Sequence, residues 1–116
     1  MAARPNIFVK LTEVYHPLPD GTVRTEYEPM RARLEYLFNA FGEDRVMFGT
    51  DYPNSYGVAT IPQEVSLMKR FFASKSRAQA EKYFWKNSAR AYKWIKRTPE
   101  QPIDRPQLSG PVAMLV

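Results

Sequence analysis

The chain has 116 residues, a net charge of +5 at pH 7, no cysteine and a single histidine, His16. That size suits one domain with a modest core, and the missing cysteines exclude disulfides and thiolate chemistry. The hydrophobic fraction is 44% and the aromatic fraction 14%, which argues against disorder, and no apolar run approaches the roughly 20 residues that span a bilayer.

The opening MAARPNIFVK lacks the long apolar core of a secretory signal, so the default compartment is cytoplasmic, with no membrane partner. Residues 6–11, NIFVKL, are bulky and β-branched and follow Pro5, which predicts a strand. The stretch TEVYHPLPDGTVRTEYEP holds Pro17, Pro19 and the turn pair Asp20-Gly21. It predicts a long loop with a small hairpin at Asp20-Gly21, and loops of that length are often functional. A helix is expected from Pro29 to Phe41, because Leu34, Leu37, Phe38 and Phe41 recur at i, i+3, i+4 and i+7 and Gly42 stops it.

A second strand is expected over Arg45–Thr50, almost without polar alternation, as in parallel sheets covered on both sides. It leads into VMFGTDYPNS, where Asp51 follows directly on the strand and Pro53 stops its continuation. From spacing alone this is either an ordinary strand exit, its carboxylate capping amides of Asn54 or Ser55, or the rim of an active site.

Thr60 with Gln63 around Pro62 predicts a capping box for a helix whose apolar stripe is Val65, Met68, Phe71 and Phe72. Ser76 with Gln79 suggests another cap, before Ala80, Tyr83 and Phe84. Asn87 reads as the cap of a final helix carrying Ala91, Tyr92, Trp94 and Ile95. From Thr98 on, Pro99, Pro102, Pro106 and Pro111 dominate a tail with little helix or strand signal. Ten cations between Lys69 and Arg97 face the single acid Glu81, a patch that invites a nucleic-acid reading. The periodicity favours an amphipathic helix pair instead: Tyr83, Phe84, Tyr92 and Ile95 lie at core spacing, and Lys82, Lys86, Arg90, Lys93 and Arg97 repeat on a solvated face. A nucleic-acid partner is therefore the least favoured reading. The alternation of strands and helices means α/β, with right-handed βαβ units and a parallel sheet. Two strands leave outer edges unpaired, so either further strands escape notice or the chain is part of something larger.

NIFVKLTEVY, LFNAFGEDRVMFGTDYPNS and AEKYFWKNSARAYKWIKR together resemble the C-terminal part of the amidohydrolase-related family, over about Asn6 to Arg97. Members are (β/α)8 TIM-barrel hydrolases and decarboxylases, including lactonases. The resemblance implies a partial (β/α)8 barrel: the last two βα units plus C-terminal helices over residues 1–97, followed by a Pro-rich tail over 98–116. It implies metal-assisted hydrolysis of a lactone or amide-like bond, or decarboxylation, on a small-molecule substrate in the full barrel. Residue by residue it carries to Asp51 the role of catalytic, metal-proximal carboxylate that activates water or shuttles a proton. Thr50 and Tyr52 stand where Ser and Trp are commoner.

Rim positions add Asn54, His16 and Tyr15 as candidate substrate contacts, with Glu13 on position only. A lone loop histidine is more often simply solvated, and Lys10 is more often an exposed strand lysine than a barrel-interior group. The full barrel would use a divalent metal such as zinc, held by a His-x-His pair and further histidines. None of those segments is in this chain. One carboxylate does not build a metal site, so the isolated chain is expected to be inactive. The alternative from another class is a non-enzymatic interaction module whose open sheet edges drive self-association.

Overall fold

A computed structural model describes residues 1–12, 15–93, 95 and 98–100. Two strands, β1 (Val9–Leu11) and β2 (Val46–Phe48), form a parallel pair in the register Val9↔Val46, Lys10↔Met47 and Leu11↔Phe48. The crossover between them carries α1 (Tyr27–Phe41). After β2 come α2 (Ile61–Phe72) and α3 (Arg77–Glu81), then a π-helical turn over Lys82–Lys86 and α4 (Asn87–Ala91). The expected α/β order is present. Both strands are shorter than the sequence suggests. Before Val9 the chain closes on itself through Arg4 N–H to Met1 O and Ile7 N–H to Arg4 O, and it leaves β2 at Gly49.

The two faces of the sheet are unequal. Side chains alternate along a strand, so Val9, Leu11, Val46 and Phe48 point one way, into the core that Leu34, Phe38, Met68, Phe71, Phe72, Ala80 and Tyr83 fill from the helices. Rings do much of this packing: Phe72 stacks on Tyr83 at 4.5 Å between centroids, and Phe38 meets Phe71 and Phe72 edge-on at 6.1 and 5.8 Å. Full burial of each such ring contributes about 1.5–3 kcal/mol. The opposite face carries Lys10, Met47 and Gly49. A side chain at Gly49 would place its Cβ 2.6 Å from Thr12 Cγ2, so glycine there leaves room for the Thr12 and Lys10 side chains.

Local signals of helix starts are realised. Thr60 and Gln63 exchange hydrogen bonds in a complete capping box, and so do Ser76 and Gln79. Gly42, at φ 77°, ends α1. The hairpin at Asp20-Gly21 forms, with an antiparallel bridge between Pro17 and Val23.

The expectation for Asn87 is corrected. It does not cap a new helix: the helical path runs on through the π turn, and Asn87 has helical φ and ψ of −67° and −38°. The wider turn aims its amide at β2, where Nδ2 donates to Glu43 O at 2.7 Å and Val46 O at 2.8 Å. Tyr92 and Ile95 are also corrected. They are 62% and 79% exposed, because α4 ends at Ala91 and the helical spacing stops applying there. Trp94, Arg97 and residues 101–116 of the tail lie outside the described residues.

Candidate active site

Asp51 is the first residue beyond the strand exit Gly49–Thr50, at the C-terminal end of β2. Its φ of 54° lies in the left-handed region, which Asp and Asn tolerate better than other side chains. The loop behind it is tied down by its own backbone: Ser55 N–H donates to Asp51 O at 3.2 Å, Tyr56 N–H to Pro53 O, and Val58 and Ala59 N–H to Ser55 O. Ser55 is only 7% exposed and seats this turn. The Tyr52–Pro53 bond is cis. In this turn the Asp51 carbonyl, not its carboxylate, takes the amide of Ser55, and the polar side chain that accepts from Tyr52 N–H is Thr50 Oγ1 at 3.3 Å. The capping role open to Asp51 is thus filled by other groups. Its carboxylate stays half-buried at the end of the strand with no ion pair among the described residues.

Lys10 approaches the same place from β1. Its stem crosses Gly49, with Cδ 3.4 Å from where a Cβ would stand, and its Nζ lies 5.5 Å from the centre of the Tyr92 ring. Hydrogen bonding to Tyr92, and more weakly the charge of Asp51, hold the ammonium above its usual pKa. Lys10 is exposed, in line with the bland expectation for it.

Tyr15 takes a different direction. Its phenol is pushed up first by burial and then by the charge of Glu64 on α2. Tyr83 is raised well above 10.0 by the same causes in the same order, and its hydroxyl donates to Leu11 O at 3.2 Å. Glu64, 3% exposed, is thus a buried acid whose charge acts on both tyrosines. The sequence reading missed Glu64. A signal was available, since the acid stands three, four and seven residues before Leu67, Met68 and Phe71, in phase with the buried stripe. His16 and Asn54 are exposed on their loops, and Glu13 lies outside the described residues. An apolar hollow of about 620 Å³ opens between Tyr52, Tyr56 and residues 57–63 at the start of α2. Asp51, Asn54, His16 and Tyr15 do not line it.

Metal chemistry needs three or four convergent donors. No group of three His, Cys, Asp or Glu side chains converges among the described residues, so these residues do not make a metal centre by themselves. No helix among them is long and apolar enough to cross a membrane. Much of the basic stretch is paired internally: Lys75 with Glu35 at 2.7 Å, Lys86 with Glu81 at 2.7 Å, and Lys82 with Glu43 and Asp44.

Two solved structures of an amidohydrolase from Burkholderia multivorans resemble the chain. One, with bound HEPES, is 27% identical with a TM-score of 0.73. The other, with bound zinc, is 26% identical with a TM-score of 0.70. Each match covers 81% of this chain and 34% of the other, so the chain spans about a third of the length of those structures. Among curated proteins none matches. The family model described as amidohydrolase matches residues 1–94, and the chain belongs to that family.

Proposed function

We propose that residues 1–97 are the last two βα units and C-terminal helices of a (β/α)8 amidohydrolase barrel, followed by a separate prolyl segment over 98–116. On this reading Asp51 is the general base of a hydrolase acting on a lactone or amide-like bond, or of a related decarboxylase. The observation that carries the reading is the Asp51 carboxylate itself. It stands at the C-terminal end of a parallel strand, where such barrels gather their chemistry, and neither caps nor ion pairs consume it. There it takes a proton from attacking water, while Asn54, His16 and Tyr15 are the rim groups available to a substrate. If the complete barrel uses zinc or another divalent ion, Asp51 supplies one ligand and the rest of the barrel the others. The isolated chain then has no turnover.

The test is a graft. Residues 1–97 replace the corresponding segment of the Burkholderia multivorans amidohydrolase, and the hydrolysis performed by the host is assayed. The graft should turn over and the isolated chain should not. Asp51→Asn in the graft should lower kcat by ~10²–10⁴-fold. Undiminished activity in that variant overturns the role given to Asp51. A second reading, a self-associating module without enzymatic activity, is supported by the two-stranded sheet, which ends at β1 without a further strand among the described residues.

A further inference from the structure

Three exposed apolar side chains gather at one place. Tyr52, Tyr56 and Ile61 all stand in solvent, and all three line the hollow of about 620 Å³ that opens at the start of α2. The two tyrosine rings meet edge-on at 6.3 Å between centroids, and Val58, Ala59 and Pro62 add further apolar surface. An exposed apolar patch of this kind marks a surface that something covers. The polar groups at its edge are already satisfied, because Thr60 and Gln63 close the capping box of α2 on each other. The hollow thus offers its occupant apolar contact rather than hydrogen bonds.

We propose that the occupant is this chain's own segment Pro111–Val116, PVAMLV, docked in the hollow. The segment carries no charged side chain. It lies past residue 94, where the match to the amidohydrolase family ends, so it is an addition to the family segment. The path of the chain brings it within reach. The Tyr92 ring stands 5.5 Å from Lys10 Nζ, and the stem of that lysine lies 3.4 Å from where a Cβ of Gly49 would be. Tyr52 follows Gly49 by three residues, at most ~11 Å of chain. These steps put Tyr92 within roughly 30 Å of Tyr52, and the stretch from Tyr92 to Pro111 can span up to about 60 Å. Because hollow and segment belong to one chain, docking is favoured over capture of a separate molecule. Contact of Val112, Met114 and Leu115 with Tyr52, Tyr56 and Ile61 removes apolar surface from water on both sides. The docking covers the loop that follows Asp51 but does not depend on the role given to that residue.

The chain has no cysteine, so Ser109→Cys gives a single attachment point for a nitroxide spin label in the full 116-residue protein. The unpaired electron broadens nearby amide signals in NMR spectra. The amides of residues 57–61 should lose most of their intensity, and reduction of the nitroxide should return it. Met114→Asp together with Leu115→Asp should also restore these signals, because an unpaired carboxylate does not enter an apolar site. Both positions lie outside the described fold, so the effect does not pass through misfolding. Tyr56→Ser should restore the signals from the side of the hollow. Full intensity at residues 57–61 beside the active label, or broadening that persists in the double aspartate variant, overturns the proposal. A mixture tests whether one chain serves itself: isotope-labelled protein without the nitroxide is combined with spin-labelled protein without the isotope. Sharp signals at residues 57–61 in the mixture support docking within one chain. Broadened signals there mean that the segment of a second copy fills the hollow, which overturns it. None of these readouts involves turnover, so they leave the hydrolase reading untouched.

Discussion

Replacing Asn87 with alanine leaves the carbonyls of Glu43 and Val46 without the amide that serves both. Asn87 is 2% exposed, so water does not readily substitute. Stranding buried acceptors in this way costs about 1–3 kcal/mol, and a fall of that size in unfolding free energy is expected by urea denaturation. Asn87→Asp, which keeps the shape and lacks the donor, should be at least as damaging, and a neutral effect would show that the contact carries no stability. The contrast with Asp51 explains what a sequence discloses at this scale. The position of Asp51 just past β2 was legible because it is set locally: strand, glycine, acid and proline follow one another, while a role for it came only from the family resemblance. The partners of Asn87 lie 44 and 41 residues away in the chain, so its type suggested a cap and nothing pointed to β2. Glu64 falls between the two. Its helical phase was visible, but the burial of an acid is decided by what packs against the helix.

At the level of elements, the two capping boxes were legible because they are built within four residues, by Thr60 with Gln63 and by Ser76 with Gln79. Thr60→Ala and Ser76→Ala should each cost about 1 kcal/mol. The boxes share no residues, so the double variant should show the sum within about 0.5 kcal/mol in the same denaturation measurement. A larger combined loss would mean that α2 and α3 start as one unit. The π turn between α3 and α4 was not legible, since Lys82–Lys86 has no breaker and no cap of its own. It sets the position of Tyr83, whose phenol is pushed well above 10.0, chiefly by burial. The unfolded chain releases this proton near pH 10.0, while the folded chain holds it to higher pH. The stability linked to Tyr83 is therefore fully present below pH 10 and is lost as pH rises through the folded value. Denaturation midpoints taken from about pH 8 to pH 11 should be level and then fall. Tyr83→Phe should be weaker at neutral pH by about 1 kcal/mol, for the lost bond to Leu11 O, and should show a shallower alkaline fall. An unchanged alkaline slope would mean that other groups, Tyr15 among them, carry it.

At the scale of the molecule, the two edges of the sheet are not alike, a difference the sequence does not disclose because it depends on where α4 lands. Peptide groups alternate along a strand, and Val9 N–H bonds inward to Arg45 O at 2.8 Å, so Lys10 turns its N–H and C=O outward. On β2 the outward carbonyl of Val46 is taken by Asn87, and Arg90 donates to Asp44 O just before the strand, so the helical path blunts that edge. The edge of β1 has no such cover among the described residues, and exposed Tyr92 and Ile95 follow α4. Unpaired edges of this kind template pairing with another strand. Association should therefore run through β1 and depend on concentration. Light scattering on a dilution series should show a species larger than 13.5 kDa that shrinks on dilution. Lys10→Pro removes one outward donor at an edge position, where proline is tolerated, and spares the bonds between β1 and β2. It should shift the equilibrium to monomer while the far-ultraviolet circular dichroism stays the same. A wild-type monomer at every concentration would mean that the β1 edge needs no partner, which would remove the support for the self-association reading. Loss of the dichroism in the proline variant would instead place Lys10 N–H inside the ladder and contradict the register from which the edge was assigned.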